Sequence, residues 1–349
     1  MLDGSHLQAA LSQTWPPFVL VAGLLAIGQL ARGDGLFDAA AARLVRLPGS
    51  SVVLLSSCYG LVTIVTALLN LDTAAVFLTP VLIGVARRRG LDHAPFLYGA
   101  IFMANASSLF LPGSNLTNLL VLRGRSEGAL FSAMLPAALI APVLTAVGLM
   151  LIHRRRLGAA GPTKDEQGVA FKAGPGLLGT GAAAVMMVAF ANPALPVLAV
   201  ASLTVCWDAR ASGRSLRKSL AALGLPALLG LFALSLALGV LARSSSFPAD
   251  LLHSPSALLT SALSAAASVL VNNLPAAVLL SSGGHLQAQP LLIGLDLGPN
   301  LAVTGSLAVL LWWRAARAAG VRPSAVSYSR QGVVLAPLAI LGALLIGSA

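Results

Sequence analysis

Eleven apolar stretches succeed one another along the 349-residue chain, at approximately 16 to 31, 51 to 69, 71 to 86, 95 to 121, 129 to 152, 174 to 190, 194 to 206, 219 to 241, 257 to 282, 290 to 313 and 331 to 347. At about 1.5 Å of rise per residue, several of them reach across a hydrocarbon core. A chain immersed there satisfies its backbone only as helices or as a closed barrel. Hydrophobic residues make up 57% of the sequence and charged residues 9%, which excludes a soluble globule. The expected fold is an all-α integral membrane protein.

The net charge of +11 would suit nucleic acid only on a soluble basic module, and no stretch of this chain reads as one, so no nucleic-acid partner is expected. The first basic residue, Arg32, follows the first apolar stretch instead of preceding it, so that stretch reads as a retained membrane helix and not as a signal peptide.

The basic residues report topology. Stretches 51 to 69 and 71 to 86 meet at Asn70 and Asp72, a polar tip between two arms, which reads as a re-entrant hairpin over 51–86. If this hairpin enters and leaves on one side, and 257–282 forms a second one entering from the other, then 19 of the 22 basic residues share the cytoplasmic side. These are Arg32, Arg43, Arg46, Arg87 to Arg89, Arg154 to Arg156, Lys164, Lys172, Arg210, Arg214, Arg217, Lys218, Arg314, Arg317, Arg322 and Arg330. Arg123, Arg125 and Arg243 fall outside. A full crossing by either hairpin scrambles this segregation. The expectation is a multi-pass protein of the cytoplasmic (inner) membrane, with its N-terminus outside.

One hairpin opening inward and one opening outward, each followed by a helix with a polar break, make two inverted-topology repeats, a construction that places a binding site between the tips. The expected organisation is a membrane helix and a cytoplasmic amphipathic segment over 1–50, a first repeat over 51–152, a cytoplasmic linker over 153–173, and a second repeat with the last helix over 174–349.

Four polar interruptions carry the candidate site: Asn70, Asp72 and Thr73; Ser114, Asn115 and Asn118; Asn272 and Asn273; and Asp296, Asn300, Thr304 and Ser306. Helix breaks free backbone amides and carbonyls to act as ligands, and Asn, Ser and Thr add donors and acceptors. Taken singly, each residue has a structural explanation. Asn70, Asn272 and Asn273 can cap helices, Pro112, Pro275 and Pro299 can be tolerated kinks, and Ser114 and Ser306 can bond back to carbonyls. Four clusters in a repeated arrangement are harder to explain that way. Asp72 and Asp296 are the only acidic residues within membrane-length apolar sequence, where an ionisable group is costly and marks function. Desolvation disfavours the charged form of a carboxyl group, which makes the proton the expected coupling ion, with sodium as an alternative. No other cofactor is expected.

Other patterns carry less. Cys58 and Cys206 cannot build a structural zinc site, and His6, His93, His153, His253 and His285 lack metal-ligand spacing. Gly174 to Gly179 satisfies GxGxxG but follows no strand. Asn105-Ala106-Ser107 and Asn115-Leu116-Thr117 are formal glycosylation acceptors at membrane depth, out of reach of modification.

The stretch from Gly294 to Pro299 and on through Thr304 to Trp312 resembles the signature of the arsenite/antimonite permeases, within the ion transporter superfamily that also holds dicarboxylate carriers and sodium/proton antiporters. Asn272-Asn273-Leu274-Pro275-Ala276 is similar to their second hairpin tip, Asp72-Thr73-Ala74-Ala75 with Leu78-Thr79-Pro80 to their first, and Ser114-Asn115-Leu116-Thr117-Asn118 to their first broken helix. The chain differs in having Leu71 directly before Asp72, where the permeases usually have Asn, and Asn300 where they tend to have a basic residue. The resemblance implies a mobile transport unit moving against a scaffold in an elevator-type motion. It also implies export of trivalent arsenic or antimony as neutral hydroxides by proton antiport. The lipid bilayer, a metalloid hydroxide, a homodimer and a cytoplasmic arsenical-pump ATPase are the partners it brings.

Two alternatives stand beside this. A sodium/proton antiporter or carboxylate carrier of the same superfamily is one, although the lack of an intramembrane Arg or Lys argues against a dianion. An intramembrane aspartyl enzyme using Asp72 and Asp296 as a dyad is the other, and it lacks the Gly-x-Gly-Asp context expected of it.

Overall fold

The computed structural model describes residues 4–46, 50–122, 127–158, 173–190, 192–212, 225–244, 256–282 and 287–347, and every regular element among them is helical. Helices α1 (Gly4–Gly33) and α2 (Leu36–Val45) precede α3 (Ser51–Leu68) and α4 (Leu71–Arg88). Next come α5 (Ala94–Ala106), a 3₁₀ turn (Pro112–Ser114), α6 (Leu116–Leu122) and α7 (Glu127–His153). Then follow α8 (Pro175–Ala189), α9 (Ala194–Ser212), α10 (Leu225–Arg243), α11 (Ala257–Val271) and α12 (Asn273–Ser281). The chain ends with α13 (Ala288–Leu297), a 3₁₀ turn (Gly298–Leu301), α14 (Leu307–Ala318) and α15 (Ala325–Gly347). Among the described residues, 6 helices are long and apolar enough to cross a membrane. The all-α membrane fold expected from the sequence is observed.

Short polar residues set the helix starts. Ser50, Asn70, Ser256 and Ser306 each accept a hydrogen bond from an amide in the following turn, at 3.4, 2.7, 3.3 and 3.3 Å. Pro16 and Pro17 in α1, Pro136 and Pro142 in α7, and Pro337 in α15 remain inside their helices, as membrane helices tolerate. The exposed Leu135, Leu139, Val143, Val147 and Leu151 recur every four residues along α7. Such a stripe faces lipid.

Side-chain contacts fix the helix directions. Tyr59 Oη donates to Pro95 O at 3.0 Å, and the Thr63 and Ser107 hydroxyls lie 2.9 Å apart, so α3 runs parallel to α5. Ser261 Oγ donates to Pro290 O at 2.7 Å and Thr304 Oγ1 to Val269 O at 2.8 Å, so α11 runs parallel to α13. Both halves therefore share one order: hairpin, helix, break, helix, long helix. The breaks, at 107–115 and 298–306, are equal in length. The two long helices α7 and α15 are antiparallel, with His153 bonded to Gln331 at 2.9 Å and Gly342 packed against Leu144. Corresponding elements that run in opposite directions are the mark of inverted repeats.

The first hairpin returns to the face it left. Arg89, just past α4, donates through Nη1 to Val45 O at 2.7 Å, shortly before α3 begins. The same face collects the ends of α1, α7 and α14: Asp34 Oδ2 accepts from Gly176 N at 2.7 Å, Arg156 meets Asp92 at 3.3 Å, and Arg87 Nη2 donates to Ala319 O at 2.8 Å. Arg243 is at the opposite end, where its Nη2 donates to Gln13 Oε1 at 2.5 Å. Arg123, Arg125, Lys164, Lys172, Arg214, Arg217, Lys218, His253 and His285, with most of the expected linker, lie outside the described residues.

Helices α1, α8 and α9 pack closely through glycines, with Gly23 against Val197 and Gly179 against Thr204. Together with α10, which contacts α1 and α12, they flank the hairpins and broken helices.

Candidate functional site

Each hairpin tip is an asparagine cap. Asn70 is extended and takes the Thr73 amide on Oδ1, while its Nδ2 and the Thr73 hydroxyl have no protein partner. Asn272 is strained, with φ 77°, a region costly for a residue with a side chain. It is held there from two sides. Its Oδ1 accepts from Leu274 N at 3.4 Å, and its Nδ2 donates to Thr304 O at 3.1 Å. Asn273 N donates to Gly305 O at 2.8 Å, stapling the second tip to the second break, while the buried Asn273 Oδ1 has no protein donor.

The first break folds upon itself. Ser114 Oγ lies 2.5 Å from Ser108 O and 2.6 Å from Leu111 O, and Asn118 Nδ2 donates to the same two carbonyls at 2.8 and 3.1 Å. Asn115 and Thr117 reach across to the second repeat, where Asp296 Oδ1 accepts from Asn115 Nδ2 at 2.7 Å and from Thr117 Oγ1 at 2.5 Å. A second link runs from Asn105 Nδ2 to Asn300 Oδ1 at 2.8 Å. In the second break, Ser306 caps α14 and Thr304 binds back to α11. Tyr328 Oη donates to Pro299 O at 2.9 Å from α15, and it is fully buried. Tyr328→Phe is expected to cost about 1 kcal/mol, visible as a lower melting temperature. An unchanged value would show that this bond does not hold the break.

The two carboxylates sit in unlike surroundings. Asp296, 0% exposed, is bonded through one oxygen while Oδ2 has no protein donor. Asp72, 3% exposed in the first turn of α4, makes no hydrogen bond or ion pair among the described residues. Among the described residues no hydrogen bond joins the two acids. Of the residues named from sequence, Asn115, Asn300 and Asp296 join one cross-repeat cluster with Asn118 beside it. Asn272, Asn273 and Thr304 form the second tip, and Asn70, Asp72 and Thr73 the first.

Asn105, Ser108, Thr117 and Gln13 were not among those candidates. The repeat itself carries the signal for Asn105. Aligning the two equal breaks places Asn105, next to last in α5, on Asp296, next to last in α13.

Helix directions add an electrostatic feature. Trp312 Nε1 donates to Leu97 O at 2.9 Å near the start of α5, and Asn105 meets Asn300 near its end. So α14 is antiparallel to α5 and parallel to α4, with the C-termini of α4 and α14 together at Arg87 and Ala319. Counting back along both helices, their N-termini emerge within about 6 Å of one another in depth. From the other side, α12 and α6 end together, both bonded by Gln13 Nε2, at Ser281 Oγ (3.0 Å) and Leu120 O (3.2 Å). The start of α12 is fixed at Thr304 and Gly305, immediately before α14. The N-termini of α4, α12 and α14 thus converge on the interior.

The two cysteines are remote from these groups. Cys58 is buried in the core and Cys206 is exposed. Cys58→Ser and Cys206→Ser are expected to retain transport in a vesicle flux assay; complete loss in either would restore a thiol role.

A family model described as CitMHS, citrate transporter, matches residues 5–298. Among solved structures, the Alcanivorax borkumensis YdaH transporter, described as having an unusual topology, is similar with a TM-score of 0.51 at 14% identity. The likeness covers 98% of this chain and 86% of that one, and at this identity it speaks to the fold alone. No curated protein matches the chain in sequence. The expected membrane transporter of the ion transporter superfamily is supported, whereas an arsenite permease in particular does not follow from these matches.

Proposed function

Because the chain belongs to the CitMHS citrate transporter family, we propose that this secondary transporter carries a small hydroxylated carboxylate of the citrate type. The observation that supports this substrate class is the convergence of the α4, α12 and α14 N-termini. Each helix end presents roughly +0.5 of a charge, which favours an anion; at α12 the contribution is the dipole alone, since the Asn273 and Leu274 amides are already bonded and Pro275 has none. The absence of an intramembrane Arg or Lys therefore does not exclude a carboxylate. Three such ends amount to about +1.5, less than the charge of a fully ionised tricarboxylate. Protons or another cation must accompany the substrate, and Asp72, buried and without a hydrogen-bonding partner among the described residues, is the natural proton carrier. The hairpins and broken helices would move as a unit against α1, α8, α9 and α10, in an inner membrane with the basic face cytoplasmic and the N-terminus outside.

The test is flux of labelled citrate in vesicles holding the purified full-length chain under an imposed pH gradient. Saturable, gradient-dependent flux is expected, and its absence would overturn the reading. A second reading, export of arsenite or antimonite by proton antiport, is supported by the uncharged groups at the tips. Asn70 Nδ2, the Thr73 hydroxyl and Asn273 Oδ1 lack partners among the described residues and suit a neutral trihydroxide. Movement of arsenite without citrate would select it, and with it the homodimer and the cytoplasmic ATPase as partners to seek.

A further inference from the structure

The helix ends opposite to those proposed for the substrate also meet. Asn105 and Asp296 are each next to last in α5 and α13, and the link from Asn105 to Asn300 holds these two C-termini together. Helix C-termini carry partial negative charge and favour cations. Asp296 adds a full charge, and its hydrogen-bonding partners, Asn115 and Thr117 at the start of α6 with Ser108, are neutral. The Ser108 hydroxyl lies beside the same carboxyl group.

The hydrogen-bond inventory is unbalanced towards acceptors. Asp296 Oδ2, Asn105 Oδ1 and Asn118 Oδ1 are buried without a donor among the described residues, and all three residues are 0% exposed. They belong to one cluster. Ser108 Oγ donates to Asn105 O at 2.8 Å, Asn118 Nδ2 donates to Ser108 O at 2.8 Å, and Asn115 Nδ2 reaches both Ser108 Oγ, at 3.5 Å, and Asp296. Asn118 Nδ2 spends both hydrogens on backbone carbonyls, and Asn105 Nδ2 spends one on Asn300. Three oxygens lacking donors are costly to bury. One proton on Asp296 would serve two of them at most, whereas a cation seated among these linked residues would draw on the oxygens that remain.

We infer that Asp296, Asn105 and Asn118, with Ser108 beside them, form a binding site for a hard monovalent cation, sodium in the first instance. A single carboxylate neutralises one charge, while divalent sites generally recruit more acid groups and open coordination to water. All-oxygen ligation excludes a preference for soft metals. Such a site assigns the two acids separate work, with Asp296 holding the cation and Asp72 left to the proton. The inference deepens the carrier reading proposed above and rests on it for its role in coupling.

The experiment is sodium binding to the full-length protein in detergent without substrate, followed as thermal stability while NaCl replaces choline chloride at constant ionic strength and pH. A saturable rise in melting temperature with sodium, absent with choline, is expected in the wild type and in Cys58→Ser. Asp296→Asn should abolish the rise. Asn105→Leu and Asn118→Leu should weaken apparent affinity on the order of tenfold or more, and Asn105→Asp, which keeps an oxygen in place, should retain binding. No sodium-specific rise, or the same rise in Asp296→Asn, would overturn the site. Citrate flux without sodium stabilisation would sink this inference and leave the carboxylate reading standing; sodium stabilisation without carboxylate flux would do the reverse.

Discussion

Replacing Asp72 or Asp296 by Asn is expected to lower coupled flux on the order of a hundredfold, the scale of effect of removing a positioned ionisable group, while the protein stays folded. Asn is nearly isosteric with Asp. At position 296 it retains an oxygen for Asn115 and Thr117, so the cross-repeat link survives without its charge. At position 72 no hydrogen bond among the described residues is lost. The measurement is pH-gradient-driven flux in vesicles, paired with size-exclusion profiles to show that folding is intact. Normal pH-dependent flux in either variant would remove that acid from coupling.

Filling the glycines that let backbones meet at the second break is expected to destabilise the fold strongly. A Cβ on Gly298 would sit 2.6 Å from Ala265 Cα, a backbone atom with nowhere to go. A Cβ on Gly332 of α15 would collide with Asn300 O. Gly298→Val and Gly332→Leu should each cost about 3 kcal/mol or more, seen as loss of monodisperse protein or a sharply lower melting temperature. Gly181, beside which a Cβ would meet nothing within 4 Å, is the control, and Gly181→Ala should behave as wild type. A normal melting temperature for Gly298→Val would show that α11 and α13 can separate without cost. The small-residue character of this contact, with Gly294 and Gly298 facing Ser261, Ser264 and Ser268, is a common way for membrane helices to approach closely.

Much of this arrangement was legible from sequence because a bilayer imposes one-dimensional rules. Apolar runs had to be helices, and the polar tip at Asn70 to Thr73 predicted a hairpin that the structure shows. The four interruptions did fall at hairpin tips and helix breaks. The structural explanation for several residues also proved true: Asn70 and Asn272 do cap helices and Ser114 bonds back to carbonyls, whereas Ser306, expected to bond back as well, caps α14 instead. Capping and ligand binding are not exclusive, since a cap uses one side-chain atom and leaves another free, as at Asn70 Nδ2.

Asn105 shows why the rest was hidden. Its local sequence offered only a glycosylation acceptor, and its significance depends on Asn300 and Asp296, nearly two hundred residues away. Gln13 is similar. Nothing near it indicates that it bonds Leu120, Ser281 and Arg243 at once. The argument against a carboxylate was incomplete for a related reason. A search for Arg or Lys counts side-chain charge, whereas backbone dipoles also contribute potential and take their directions only from folding.

The sequence by itself determined that this chain is an all-α membrane protein of inverted repeats with two acids at depth, because hydropathy and basic-residue placement act residue by residue against lipid. Only the tertiary structure decided that no hydrogen bond joins the two acids, that Asp296 is clasped by Asn115 and Thr117 at the start of α6, and that the C-termini of α5 and α13 meet through Asn105 and Asn300. Hydrogen bonds and dipoles depend on distance and direction in space, and those exist only once the two repeats have packed against each other.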